Sequence, residues 1–233
     1  MTASGDQQDE RGEGGPEGVV LIHGLGLAVQ GVSMRPLARR LTQDGYAVAR
    51  LAYPSYKLTL AQAEAALRRQ LEGAVSGWRT VHLVGHSLGG VMAARLARAL
   101  PEAKRGRVIQ LGAPNLGSPL AAFAAKLPPA RLMLGPALDD LSAPLPPHDC
   151  PRVAALAGDT SWGPARAIPP RWGQGFSGRS DGKVAVESAL AFAEERGVVP
   201  IGHAFLPTSR RVADAVACCL REGRFPEGVH VDA

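Results

Sequence analysis

The sequence predicts an α/β fold: a doubly wound, mostly parallel sheet of about six strands, with helices on both faces and a small cap. Three observations carry that expectation. Short continuous apolar runs recur, as at Val19–Ile22 and Val81–Val84, the pattern of strands buried on both faces. Segments of helical periodicity separate them, at lengths that suit crossovers between parallel strands. His23, Ser87 and Asn115 fall just past the ends of three such runs. In an open parallel sheet, ligands bind beyond the carboxyl ends of the strands.

Residues 1–17 are rich in Gly, Gln, Asp and Glu, without aromatics, and read as a disordered polar tail. The domain is expected over 18–224. Its first strand is Val19–Ile22. A helix follows with Ser33 as candidate N-cap, Leu37 and Leu41 on one face, and Asp44–Gly45 as its stop. Tyr46–Tyr53 is the second strand, closed by Pro54. Thr59 and Gln62 have capping-box spacing, and Leu60, Ala63, Leu67 and Leu71 repeat at helical intervals. The third strand covers 80–84, and a helix covers 88–100 until Pro101. Arg107–Leu111 is the fourth strand. Residues 115–150 are rich in proline and short apolar pieces, and read as a cap made of a pair of short helices and loops. Val153–Ala157 is the fifth strand. Val184–Phe192 reads as a short helix or an extended pair. Val198–Ile201 is the last strand, and a helix over about Ser209–Leu220 closes the domain. Residues 225–233 read as a C-terminal tail.

At 233 residues the chain fits one domain with a sizeable core. No apolar run approaches the length that spans a membrane. The N-terminus lacks the basic and apolar regions of a secretory signal. Cys150, Cys218 and Cys219 form no even framework. These points lead to the expectation of a cytoplasmic protein. Formal net charge is +5, and residues 1–17 hold five acids and Arg11, so the remainder is basic. The arginines are scattered, without an aromatic stacking platform, so no nucleic-acid partner is expected. No metal-binding cluster and no cofactor motif are visible. An apolar cap on a basic body suggests weak peripheral membrane contact.

The chemistry centres on Gly85–His86–Ser87–Leu88–Gly89, which lies where a strand turns sharply into a helix. That context makes the pattern a nucleophile elbow, with Ser87 exposed at the turn and Gly85 and Gly89 small for steric reasons. A serine hydroxyl needs a base within hydrogen-bond reach, and the base needs an orienting carboxylate. Of the histidines after Ser87, His148 sits in the cap and His230 near the chain end, whereas His203 directly follows the last strand. Two acids remain open. Asp159 directly follows the fifth strand, which position along the sheet slightly favours. Asp181 precedes the last strand in a Ser-Asp-Gly turn. Asp139 and Asp140 read as solvated cap residues. Oxyanion donors are expected from the backbone N–H of Leu88 and, in the loop after the first strand, of Leu25. The side chains of His23 and His86 read as structural.

These residues resemble the α/β-hydrolase superfamily, and more closely the small bacterial triacylglycerol lipase-like esterases. The matching pieces are Val-Leu-Ile-His23-Gly24-Leu25, Gly85-His86-Ser87-Leu88-Gly89-Gly90, Gly112-Ala113-Pro114-Asn115-Leu116-Gly117-Ser118-Pro119, Asp181-Gly182-Lys183-Val184 and His203 with Phe205. The resemblance implies that Asp181 is the acid, and that the reaction is ester hydrolysis through an acyl-enzyme. Ala204 follows His203 and no acid comes before Asp214, so the calcium site and secretion of the exported lipases are not carried over. The expected substrate is a small-molecule acyl ester. Its pocket would be lined by Asn115, Leu132, Leu134, Leu138, Trp162 and Trp172. Thioesterase, amidase or acyltransferase chemistry would use the same residues. A binding protein that keeps the fold without turnover is the alternative from another class.

Overall fold

A computed structural model describes residues 15–26, 31–148, 150–161 and 178–229. Residues 1–14 of the expected 1–17 tail, Trp162, Trp172 and His230 lie outside the described residues. The sheet consists of β1 (Glu17–Ile22), β2 (Ala47–Leu51), β3 (Thr80–His86), β4 (Arg105–Leu111), β5 (Val153–Gly158) and β6 (Glu195–Val199). Their order is β2-β1-β3-β4-β5-β6, and every pairing is parallel. From β1 the chain first moves outward to β2 and then returns to place β3 on β1's other side. The loops after β1 and β3 therefore diverge and open a crevice at their carboxyl ends.

Alternation along β1 fixes the two layers. Val19 and Leu21 join one core with Leu37, Leu41 and Val216; Val20 and Ile22 join the other with Leu67, Leu83 and Met92. The first core lies under α1 (Arg35–Gln43) and α8 (Arg210–Glu222), which contact each other. The second lies under α2 (Leu60–Ala74) and α3 (Leu88–Ala97). The capping box of α2 forms: Thr59 Oγ1 accepts from Gln62 N–H and Gln62 Oε1 accepts from Thr59 N–H. Helix α3 is buried almost all round, as its apolar sequence requires.

The cap comprises three short helices rather than two: α4 (Pro119–Ala124), α5 (Pro128–Leu134) and α6 (Ala137–Asp140). Proline opens α4 and α5, because the first turn needs no N–H from it. Asp140 does more than face solvent: its Oδ2 accepts from Leu60 N–H at 3.0 Å, tying the cap to the start of α2. Helix α7 (Val186–Leu190) fills the segment left open between helix and extended pair.

Several boundaries move. Ser33 lies inside a 3-10 turn, Val32–Met34, and makes no cap; α1 starts at Arg35. Helix α3 ends at Ala97, three residues before the expected stop. Strand β6 is Glu195–Val199, earlier than the apolar run suggested. Glu17 belongs to β1, not the tail, and its Oε1 accepts from buried His82 at 2.7 Å. Residues 225–229 are not a free tail: Phe225 and Val229 are buried, and Val198 N–H donates to Val229 O at 2.7 Å. Cys219 is buried among apolar groups, which pushes its thiol up to about 12, so it is an inert packing residue. No described helix is long and apolar enough to cross a membrane.

Candidate active site

Ser87 sits between β3 and α3 with φ 55° and ψ −125°, a conformation that L side chains rarely adopt. Its backbone is fully engaged: Ser87 N–H donates to Leu111 O and Ser87 O accepts from Gly90 N–H, both at 2.8 Å. The flanking glycines are required by backbone contact. A Cβ on Gly85 would lie 2.0 Å from Gly89 O, and one on Gly89 would lie 2.2 Å from Ile22 O. The elbow is thus pressed directly against the end of β1.

His203 opens a 3-10 turn, His203–Thr208, just after β6. Its Nδ1–H donates to Asp181 Oδ2 at 2.7 Å, and both side chains are buried. The other oxygen, Asp181 Oδ1, accepts from Lys183 N–H (2.9 Å) and Val184 N–H (2.8 Å). His203 N–H also donates to Asp181 O at 2.9 Å. The carboxylate is therefore held from both ends, and His203 Nε2 is left as an acceptor. Asp159 is elsewhere engaged. Its Oδ2 accepts from Arg179 at 2.5 Å, in a pair open to solvent. Gly112, which the sequence analysis quoted without assigning it a role, makes room for the Asp181–His203 pair. At φ +59° its Cβ would stand 3.0 Å from Asp181 Oδ2 and 3.3 Å from His203 Nδ1.

His86 and His23 are braces. His86 Nε2–H donates to His203 O at 3.0 Å, with the two rings 4.8 Å apart. Burial, reinforced by the neighbouring charge of Lys183, holds the His86 imidazole well below its ordinary value, so it is neutral. His23 stacks on Tyr53 at 4.7 Å and accepts Tyr53 N–H at Nε2 (3.4 Å). That bond leaves His23 Nδ1–H to donate to Gly24 O at 2.8 Å. Tyr53 O–H donates to His23 O (3.1 Å), and Gly26 N–H donates to Ser55 Oγ (3.3 Å). Tyr53 and Ser55 thus shape the loop that carries Leu25. Nothing in the sequence pairs them with a loop some thirty residues away. Leu88 is the first residue of α3, where an N–H has no intrahelical acceptor.

The model of the alpha/beta hydrolase family matches residues 19–220. The chain belongs to the alpha/beta hydrolase family. A comparison with curated proteins finds no match. Among solved structures, the mature form of a Bacillus licheniformis lipase is similar at 21% identity, covering 83% of this chain and 86% of that one, with a TM-score of 0.61. A metagenomic carboxyl esterase is similar at 19% identity, covering 86% and 69%, with a TM-score of 0.59. A Listeria innocua gene product is similar at 16% identity, covering 93% and 97%, with a TM-score of 0.56. At these identities the likeness is one of fold.

In this alpha/beta hydrolase, Ser87, His203 and Leu25 line one cavity of about 550 Å³. Leu134 and Leu138 line it, together with Leu120 and Leu141 of the cap region. Two expected lining residues do not. Leu132 is 86% exposed, on the outer face of α5. Asn115 is buried behind the site. Its Nδ2 donates to Gln110 Oε1 (2.8 Å) and Ala191 O (3.1 Å), and its side chain borders a separate cavity beside Arg95 and Phe192. Among the described residues no group of three His, Cys, Asp or Glu side chains could hold a metal ion.

Proposed function

We propose that the protein hydrolyses carboxylic esters through an acyl-enzyme formed on Ser87. His203 Nε2 takes the Ser87 Oγ proton as Oγ attacks the carbonyl carbon. Asp181 keeps the proton on Nδ1 and stabilises the imidazolium. The carbonyl oxygen becomes an oxyanion facing the N–H groups of Leu25 and Leu88, each such donor contributing about 3 kcal/mol to lowering the barrier. The intermediate collapses, the C–O bond breaks, and His203 returns the proton to the leaving alcohol. Water then repeats the sequence on the acyl-enzyme, releasing the acid and restoring Ser87.

The observation that carries this reading is the Asp181–His203 pair, doubly anchored and buried, beside a strained serine on one apolar cavity. The apolar wall suits a short or medium acyl chain. Ser87→Ala is expected to lower p-nitrophenyl hexanoate turnover by at least about 10³-fold, with an unchanged melting temperature. A fluorophosphonate probe is expected to label the parent protein and not the variant. Near-parental turnover in Ser87→Ala would end the proposal. Thioesters pass through the same acyl-enzyme, so acyl-CoA run beside the ester separates the two leaving groups.

A further inference from the structure

One side chain on the wall of the catalytic cavity differs in kind from the rest. Among the described residues that line it, Lys183 carries the one permanent charge, and no carboxylate faces the cavity. Lys183 follows Asp181 and Gly182, where Gly182 has φ +94°. Its backbone is pinned on both sides: N–H donates to Asp181 Oδ1 at 2.9 Å, and its carbonyl accepts from Ser118 Oγ–H at 2.7 Å. The root of the side chain is thus fixed between the acid turn and the start of α4. The residue is exposed. Among the described residues it has no ion-pair partner.

A cation at the rim of an apolar cavity acts through a medium that screens less than bulk water. It favours a ligand that places an anion there and disfavours one that brings a second cation. The apolar side of the cavity, formed by Leu120, Leu134, Leu138 and Leu141, suits the acyl chain. That leaves the alcohol portion of the substrate to meet Lys183.

Resting on the ester-hydrolase reading above, we propose that Lys183 is a specificity-determining residue selecting esters whose alcohol portion carries an oxyanion group, a carboxylate or a phosphate. The side chain takes no part in proton transfer. It holds the anion while Ser87 attacks the acyl carbon.

The test compares three hexanoyl esters of similar size: hexanoyl glycolate, 2-hexanoyloxyethyl phosphate and the neutral 2-hexanoyloxyacetamide. At low salt the parent enzyme is expected to favour at least one anionic ester over the neutral one by roughly tenfold in kcat/KM. The larger of the two anionic effects identifies carboxylate or phosphate as the preferred group. Lys183→Met is expected to erase the preference, Lys183→Glu to reverse it and Lys183→Arg to keep it. Added salt should shrink it, as screening requires. A preference that is absent, or that survives in Lys183→Met, overturns the assignment. The same three compounds titrated by calorimetry into Ser87→Ala, with and without Lys183→Met, give a readout independent of turnover. If no ester is hydrolysed, the ester-hydrolase reading fails, while the calorimetric preference still decides whether Lys183 recognises an anion.

Discussion

Asn in place of Asp181 separates the proposed acid from its competitor, and its effect can be worked from the hydrogen bonds. Asp181 Oδ1 accepts two backbone N–H groups, from Lys183 and Val184, at 2.9 and 2.8 Å. An asparagine amide must place its oxygen there, because an NH2 group would oppose two donors. The NH2 group then faces His203 Nδ1, now 2.7 Å from Oδ2. It can only donate, so Nδ1 becomes the acceptor and the proton moves to Nε2. Nε2 can then no longer accept the Ser87 proton, and the imidazolium loses its counter-charge. The expected loss is roughly 10³- to 10⁴-fold in kcat, about 4–5.5 kcal/mol of barrier. The turn bonds survive, so the melting temperature should move by only a few degrees. Asp159→Asn disturbs a solvent-open pair with Arg179, worth about 0–1 kcal/mol, and should leave turnover within about twofold. The assay is p-nitrophenyl hexanoate hydrolysis with thermal unfolding of each variant. Activity kept in Asp181→Asn and lost in Asp159→Asn would refute the reasoning.

Three further outcomes follow from the same contacts. Ser87→Gly should relieve the left-handed backbone of the elbow, adding about 1 kcal/mol of stability, or roughly 2–4 °C in melting temperature, while eliminating turnover; a variant less stable than Ser87→Ala would contradict the strain. Asn115→Ala should cost about 2 kcal/mol in urea unfolding, because it strands Gln110 Oε1 and Ala191 O in the interior. Stability should also fall on acidification. His23, His82 and His86 are all held below the ordinary value of 6.5, in each case chiefly by burial. The unfolded chain therefore binds more protons as pH falls below about 6.5, and stability present above that pH is lost below it. His86 alone should account for about 1 kcal/mol by one unit lower, read from denaturant unfolding at pH 7.5 and 5.5; a flat profile would contradict neutral buried histidines.

The central strands are legible because a strand covered on both faces must be apolar throughout, as Val19–Ile22 and Val81–Val84 are. Edges are less legible. Strand β6 begins with Glu195, Arg196 and Gly197, and its polar start looks like loop until Phe225 and Val229 are seen to cover it. Glu17 reads as tail because its partner, His82, lies 65 residues away in β3. In the site, Ser87 and His203 are marked by their place after a strand. The proposed acid is not: position along the sheet favours Asp159, and only the resemblance singled out Asp181, the carboxylate that meets His203. Asn115 shows the same limit. Its position after β4 suggests the cavity, but the direction of a side chain is set by packing, and Gln110 draws it inward. On α5, Leu134 turns toward the cavity and Leu132 away from it, a distinction that a cap of such short helices does not encode in any period.

A comparison within the chain isolates what is unusual about Ser87. Among the described α-helices, four have Ser or Thr at the N-cap. At α2, α4 and α8 the side chains of Thr59, Ser118 and Ser209 each accept a backbone N–H three residues on. Those residues have extended backbones, which aim the oxygen at the helix end. Ser87 makes no such bond, because φ 55° swings its side chain off the helix axis. The forfeited cap is worth about 1 kcal/mol, and the backbone strain about 1–3 kcal/mol more. Burial along α3 offsets both: Leu88, Met92 and Leu96 are fully buried, and each such side chain contributes about 1.5–3 kcal/mol. Backbone bonds to Leu111 and Gly90 then lock the turn. The fold therefore uses both backbone polar groups of Ser87 and leaves its hydroxyl out of the cap of α3. Capping by Ser87 Oγ would tie up the nucleophile, so under the proposed mechanism the two roles of an N-terminal serine exclude each other. The strained turn is what keeps them apart.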